Sequence, residues 1–162
     1  MAKVKEEKTN VMRVLDQKKI PYTPHAYPHG DGEAPDGVTV ARSLGQDPER
    51  VFKTLVTRGA SGGYYVFDIP VADTLDLKKA AKAAHDKKIE LIHVKDLLAA
   101  TGYIRGGCSP IGMKKPFPTY IDETAQLYDE IGVSAGCRGC QVLLDPMRLA
   151  DYVNATLCDL TE

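Results

Sequence analysis

The sequence predicts an α/β or α+β domain built on a mixed β-sheet, and three observations lead to that prediction. Segments with helical periodicity alternate with short strand-like segments along the chain. Two of the strand-like segments are joined by a short glycine-containing connection, which is typical of an antiparallel hairpin. The elements do not follow the regular repetition of a doubly wound parallel sheet. The length of 162 residues predicts one domain covering residues 1–162.

The first half of the chain predicts two helices, three strands and one polar loop. In order, these are a helix over 9–19, a strand over 22–27, the polar loop over 28–37, a helix over 38–44 and strands over 51–57 and 63–69. Val11, Val14 and Leu15 give the first helix an apolar side. That helix ends before Pro21, because the residue preceding a proline disfavours the helical conformation. Gly45 is a suitable left-handed residue to end the second helix.

The second half predicts three helices and four strands around a glycine-rich segment. In order, these are a helix over 77–84, a strand over 89–92, a helix over 95–100, the glycine-rich segment over 101–112, strands over 119–121, 131–134 and 141–144, and a helix over 146–153. Asp76 is a favourable N-cap for the helix that follows it. The spacing predicts that Leu77, Ala80, Ala81 and Ala84 of this helix face inward.

Charge and composition limit the function classes. The chain has 21 Lys and Arg against 22 Asp and Glu, so it lacks the basic excess of a nonspecific nucleic-acid coat, and nucleic-acid contacts are expected to be local. We expect no membrane span, because no apolar run approaches bilayer thickness. The charged N-terminus is unlike a secretory signal. A cytoplasmic location with four free cysteines is therefore predicted.

Cys137 and Cys140 form a C-x-x-C pair, which occurs in redox sites and in zinc sites. A thioredoxin-type pair lies at a helix N-terminus, whereas a strand is predicted after Cys140. A zinc site needs two further ligands, and Cys108 and Cys158 are isolated. The four histidines show no metal-ligand spacing either, so we expect no metal and no cofactor. A tight turn is the favoured interpretation, and a thiol or zinc role stays open.

The glycine-rich segment and Lys53 are the other candidates for chemistry. The segment matches neither a Walker A loop nor a dinucleotide fingerprint. Gly106 and Gly107 permit close backbone approach to a ligand oxygen and Pro110 stiffens the loop, although a purely structural turn is equally consistent. Lys53 interrupts an apolar strand, and burying an amine is costly unless an anion or a carbonyl meets it. The alternative is that the amine reaches the solvent at the rim.

Several ordered motifs resemble those of the YbaK family, the freestanding relatives of the editing domain inserted in prolyl-tRNA synthetase. They are FKTL (52–55), LDLKKAAK (75–82), TGY (101–103), GGCSPIG (106–112), KK (114–115), PTYID (118–122), VSAG (133–136) and RG (138–139). Where relatives often have Gly-Lys-Arg-Gly-Leu, this chain has cysteines at 137 and 140. Met113 stands where a glutamine is commoner.

The resemblance implies a mixed, partly barrel-like sheet surrounded by helices. It also implies a deacylase that removes cysteine from mischarged Cys-tRNA(Pro), by attack of the substrate's own thiol on its ester. The implied partners are the acceptor end of the tRNA and prolyl-tRNA synthetase. Two alternatives stay open, namely another small ester such as Ala-tRNA(Pro), and a non-catalytic binding or thiol/zinc module.

The resemblance also implies the site. The implied catalytic residues are Lys53, Gly106, Gly107, Ser109 and Pro110. The implied substrate-binding residues are Tyr27, Cys108, Asp122, Gly136, Arg138, Gly139 and Gln141. The Lys53 ammonium and the backbone N–H groups of residues 107–109 are candidates for stabilising the oxyanion. Lysines 78, 79, 82, 114 and 115 could contact the tRNA backbone, or they could form a solvated surface.

Overall fold

A computed structural model describes residues 8–27 and 36–162. The helices are α1 (Asn10–Gln17), α2 (Gly37–Ser43), α3 (Leu77–Ala84), α4 (Val94–Thr101) and α5 (Pro146–Val153). The strands are β1 (Tyr22–Ala26), β2 (Phe52–Gly59), β3 (Tyr64–Pro70), β4 (Ile89–Leu91), β5 (Thr119–Asp122), β6 (Ile131–Ser134), β7 (Cys140–Leu144) and β8 (Thr156–Cys158). Most of the predicted polar loop, including His29, lies outside the described residues.

The predicted helices and strands are confirmed to within two residues, and the mixed α+β class with them. Strand β8 and the short 3-10 turns at Pro48–Arg50 and Glu123–Leu127 were not predicted. The inward orientation of Leu77 is wrong, since its exposed fraction is 43%. Leu77 is the first residue of α3, and the buried stripe of this helix is formed by its alanines.

The strands form two sheets that do not close into a barrel. The order of the first sheet is β1-β7-β6, and that of the second is β4-β2-β3-β5-β8. Pairing is antiparallel except for β3 with β5 and β5 with β8. An isolated parallel bridge between Val51 and Gly132 joins the sheets, so the start of β2 lies beside β6.

Both faces of the larger sheet are buried. Side chains alternate along β2 and β3, so Val56 and Val66 enter one core cluster while Phe67 and Ile69 enter another. The first cluster also includes Leu15 and other residues of α1 and α5. The second is covered by the alanines of α3, and the Asp76 carboxylate caps that helix as predicted.

Candidate functional site

A cavity of about 410 Å³ opens where β2 diverges from β6 and β7. Its walls come from the end of β1, the start of α2, β2, the loop after α4, and the facing ends of β6 and β7. Lining residues central to the chemistry are Tyr27, Lys53, Thr54, Arg105, Gly106, Cys108, Ser134, Cys140 and Gln141. The cavity thus lies between an amine-bearing strand and a glycine-bearing loop.

One edge of β2 faces this cavity. Strand β4 pairs with β2 only over Thr57–Gly59, and no other described strand covers Phe52–Leu55 on that side. In an antiparallel pair the backbone groups point alternately toward and away from the partner strand. The Val51 carbonyl accepts from Val71 on the β3 side, so the N–H and C=O of Thr54 point away from β3. A ligand in the cavity therefore meets backbone polar groups of Thr54.

Lys53 is half-buried at the cavity. Burial lowers the pKa of its ammonium, and the nearby Asp73 carboxylate partly offsets that effect. A desolvated amine of this kind interacts strongly with a carbonyl oxygen or an anion, because little water screens it. Lys53 therefore brings a concentrated positive charge to the cavity.

The Thr54 side chain contacts a buried carboxyl group, that of Asp68. The Thr54 hydroxyl donates to Asp68 Oδ1 at 2.5 Å, and Asp68 is fully buried. Burial raises the pKa of Asp68 to about 7, and the Thr54 bond lowers it only in part. The second oxygen, Asp68 Oδ2, has no hydrogen-bond partner among the described residues. Since its proton points to Asp68, the Thr54 hydroxyl presents lone pairs to the cavity as an acceptor.

Tyr27 is fixed by the turn that joins β6 to β7. Its backbone N–H donates to the Gly139 carbonyl at 2.9 Å. Its phenol oxygen also accepts from the Gly139 backbone, but burial is the larger effect and raises the pKa of Tyr27. The phenol is therefore neutral and oriented, with its proton available to a ligand.

Residues 106–108, which we call the glycine loop, pack directly on the turn between β6 and β7. A Cβ on Gly107 would lie 3.0 Å from the Cys137 Cα and 3.1 Å from its carbonyl carbon. The Arg138 Nε donates to the Arg105 carbonyl at 2.8 Å and ties the same segments together. Any side chain at 107 would press on the Cys137 backbone, so glycine is the residue that fits this close approach. This contact places Gly106 and Cys108 at the cavity wall.

The aminoacyl-tRNA editing domain model matches residues 32–152 of the chain. The chain belongs to the aminoacyl-tRNA editing domain family. It is 50% identical over 162 residues to EbsC of Enterococcus faecalis, which is named as a proposed Cys-tRNA(Pro)/Cys-tRNA(Cys) deacylase, and the match covers 99% of this chain and 98% of that protein. This finding confirms the resemblance stated above.

Solved structures share the fold of this editing domain. One is a proposed trans-editing enzyme for prolyl-tRNA synthetase, with a TM-score of 0.80 and 24% identity over 94% of each chain. Another is the hypothetical protein APE2540, with a TM-score of 0.84 and 20% identity, covering 96% of this chain and 100% of that one.

The editing domain brings most, but not all, of the predicted site residues together. Tyr27, Lys53, Gly106, Cys108 and Gln141 line the cavity. Gly107 lies between two lining residues, and Gly136, Arg138 and Gly139 lie in the turn between the lining strands β6 and β7, but these four residues do not line the cavity themselves.

Three predicted residues are placed away from the cavity. The Ser109 hydroxyl is buried and accepts from the Ile111 N–H. Pro110 lines a separate groove beside Phe117 and Tyr152. The Asp122 carboxylate accepts hydrogen bonds from the backbone N–H groups of Thr124 and Leu160, so it stabilises the fold and does not face the cavity.

One backbone N–H of the glycine loop already donates a hydrogen bond within the protein. The Gly107 N–H donates to the Ile104 carbonyl at 3.0 Å, so it is not available to a substrate oxygen. This differs from the expectation that the N–H groups of residues 107–109 act together.

The thiols of Cys108 and Cys137 are not activated nucleophiles. Burial raises the pKa of Cys108 to about 12, with a further contribution from the Asp68 carboxylate. Burial and the neighbouring Cys140 thiol raise the pKa of Cys137 to about 12. A nucleophilic cysteine needs the opposite shift.

Several residues at the site were missed by sequence reasoning. Gln46 and Gln141 donate to each other's side-chain oxygens at 2.8 and 2.9 Å, and this reciprocal pair holds Gln141 in place. Gly132 makes room for it, since a Cβ there would lie 2.7 Å from the Gln141 amide nitrogen. Among the missed residues, only Thr54 could have been found from the sequence, because it follows Lys53 in the FKTL motif.

Within residues 8–27 and 36–162, no group of three His, Cys, Asp or Glu side chains is placed to hold a metal ion. The same residues include no helix that is long and apolar enough to cross a membrane.

Proposed function

We propose that this editing domain is a trans-editing deacylase that removes cysteine from mischarged Cys-tRNA(Pro). The observation that carries the proposal is that Lys53 and the Gly106–Cys108 loop line one cavity. The name of EbsC, half identical over the full chain, supports the substrate. The reaction takes place where mischarged tRNA is made, so the proposal includes a cytoplasmic location.

The substrate carries its own nucleophile in this proposal. The cysteinyl sulfur attacks the carbonyl carbon of its own ester, a C–S bond forms and the C–O bond to the ribose breaks. The thiol proton passes to the leaving ribose oxygen. The products are a cyclic thioester of cysteine and a tRNA with a free 3′-hydroxyl, and water then opens the thioester. The protein therefore needs no nucleophile, which agrees with the raised pKa values of Cys108 and Cys137.

The protein's part is positioning and charge stabilisation. The Lys53 ammonium meets the oxygen that becomes negative as sulfur attacks, and one such donor is typically worth about 3 kcal/mol. The Thr54 hydroxyl, an acceptor because its proton points to Asp68, is suited to the substrate's α-ammonium group. Fixing the aminoacyl group in this way contributes several kcal/mol more to the lower barrier.

A panel of esters tests this function. We expect rapid deacylation of Cys-tRNA(Pro), at least about tenfold slower deacylation of Ser-tRNA(Pro), and the slowest for Ala-tRNA(Pro), which has no side-chain nucleophile. Rates are measured as loss of labelled amino acid from each tRNA. Equal rates for all three esters would show that the protein activates water, and a preference for Ala-tRNA(Pro) would establish the alternative substrate.

Prolyl-tRNA synthetase is the partner in this proposal. The chain has a net charge of −1, and Lys79, one of the candidate tRNA contacts, is bound to Asp159 at 2.9 Å. We therefore expect the isolated chain to bind the tRNA body weakly, and a synthetase that holds the tRNA would provide its identity. We expect cleavage of Cys-tRNA(Cys) and Cys-tRNA(Pro) at similar rates by the isolated chain, and a preference for Cys-tRNA(Pro) when the synthetase is added.

A further inference from the structure

A second groove adjoins the cavity on the other face of β2. We call it the leucine groove and define it by Leu55, Leu77, Leu91, Lys53 and Lys78. Its volume is about 600 Å³. Lys53 and Leu55 also line the cavity, so the two spaces meet at the edge of β2 that no described strand covers. A single ligand can therefore extend from one space into the other.

The leucine groove has an apolar surface that the fold does not bury. Leu77 and Leu91 are 43% and 54% exposed. Leu77 begins α3, whose alanines take the core positions, and Leu91 ends the edge strand β4. Contiguous exposed apolar side chains beside a functional cavity are typical of a ligand-binding surface.

Charged side chains also line the leucine groove. Two of them are lysines, namely Lys53, which the groove shares with the cavity, and Lys78. The Asp76 carboxylate accepts hydrogen bonds from the backbone N–H groups of Lys78 and Lys79, at 2.9 and 3.1 Å. Glu162 adds a carboxylate to the rim. The groove therefore suits a ligand with an apolar body and an anionic group that can reach Lys78.

We propose that the leucine groove binds the 3′-terminal adenosine of the aminoacylated tRNA while the cavity holds the acyl group. This inference rests on the proposed function, because the ester bond joins the two halves of that substrate. With the ester at Lys53, the ribose and the adenine extend along β2 toward Leu77 and Leu91. The leucine side chains bury the apolar faces of the base, and the phosphate of this nucleotide lies near Lys78.

Adenosine 5′-monophosphate is the direct probe. We expect titration of the full chain with this nucleotide to shift the NMR methyl signals of Leu55, Leu77 and Leu91 in a saturable way. The signals of Leu98, which is 53% exposed on α4 and lines neither space, should stay unchanged. Absence of shifts at the leucine groove, or shifts confined to other surfaces, would overturn the assignment.

Kinetics of the double variant Leu77→Ser/Leu91→Ser provide the second test. We expect kcat/KM for Cys-tRNA(Pro) to fall about tenfold, mainly through a higher KM, because apolar contacts with the base are lost. The variant Leu98→Ser is the matched control and should match the wild type. An unchanged KM in the double variant would overturn the groove assignment and leave the proposed function intact. A wild-type protein that binds the nucleotide at the groove but does not cleave Cys-tRNA(Pro) would overturn the proposed function instead.

Discussion

Lys53 is the residue on which the proposed chemistry depends most. Substitution Lys53→Ala removes the charge that meets the developing oxyanion, so we expect kcat for Cys-tRNA(Pro) to fall by about a hundredfold or more. The melting temperature should be retained, since only a half-buried amine is lost. Single-turnover deacylation and thermal unfolding measure the two effects. Lys88→Ala, at an amine that pairs with Glu90 on the surface, is the control. Full activity in Lys53→Ala would remove the amine from the mechanism.

Asp68 makes stability depend on pH. Its pKa is about 7 in the fold and about 4 in the unfolded chain, so between these values the folded state binds more protons. The free energy of unfolding therefore falls as pH rises from about 4 to about 7 and is level above that range. The pKa difference corresponds to about 4 kcal/mol.

Asp68→Asn preserves an acceptor for the Thr54 hydroxyl but cannot ionise. We expect it to lose this pH dependence and to be more stable than the wild type at pH 8. Urea unfolding at several pH values between 4 and 8 measures the slope. Asp151→Asn, at an exposed position on α5, should keep the wild-type slope. A wild-type slope in Asp68→Asn would mean that another group titrates.

At the scale of elements, the contact between the glycine loop and the β6–β7 turn shapes the cavity wall. In Gly107→Ala the new methyl group would meet the backbone of Cys137, which cannot rotate away. We expect a loss of about 1–3 kcal/mol in the free energy of unfolding, together with lower kcat, because the loop shifts. Gly63→Ala is the matched control, since a Cβ there lies 3.9 Å from its nearest neighbours. Denaturant unfolding that ranks the two variants equally would refute the close approach.

Elements with a strong local signal were predictable from the sequence. The α3 N-cap at Asp76 and the β2–β3 hairpin depend on residues close together in the chain. The Gln46–Gln141 pair joins residues 95 apart, and the Thr54–Asp68 bond requires the strand register. Strand β8 has three residues and an exposed or half-buried pattern, so it carries no periodic signal. Lys53 and Gly106 were predicted from the strand and glycine patterns and Tyr27 through the family resemblance, whereas the contacts that position them depend on the tertiary structure.

At the scale of the molecule, Asp122 connects distant parts of the chain. Its carboxylate caps the turn after β5 and accepts from the Leu160 N–H at 3.0 Å, beside the fully buried Leu160 side chain. We expect Asp122→Ala to lower the free energy of unfolding by about 2–4 kcal/mol, because buried donors lose their acceptor. The KM for Cys-tRNA(Pro) should stay unchanged at a temperature where the variant is folded. A raised KM with unchanged stability would instead support the predicted role in substrate binding.

Successive side chains of β2 lie on opposite faces of the strand, with Thr54 on one face and Lys53 and Leu55 on the other, and all three reach the cavity. The pairing of Lys53 with Ile69 and Thr54 with Asp68 is set by the connection over 60–63. Inserting or deleting one residue in that connection would slide the strand by one step and reverse its faces. The Lys53 ammonium and the Thr54 hydroxyl would then each move to the opposite face of the strand. The length of this short connection, which contributes no residue to the cavity lining, is thus a determinant of enzymatic competence.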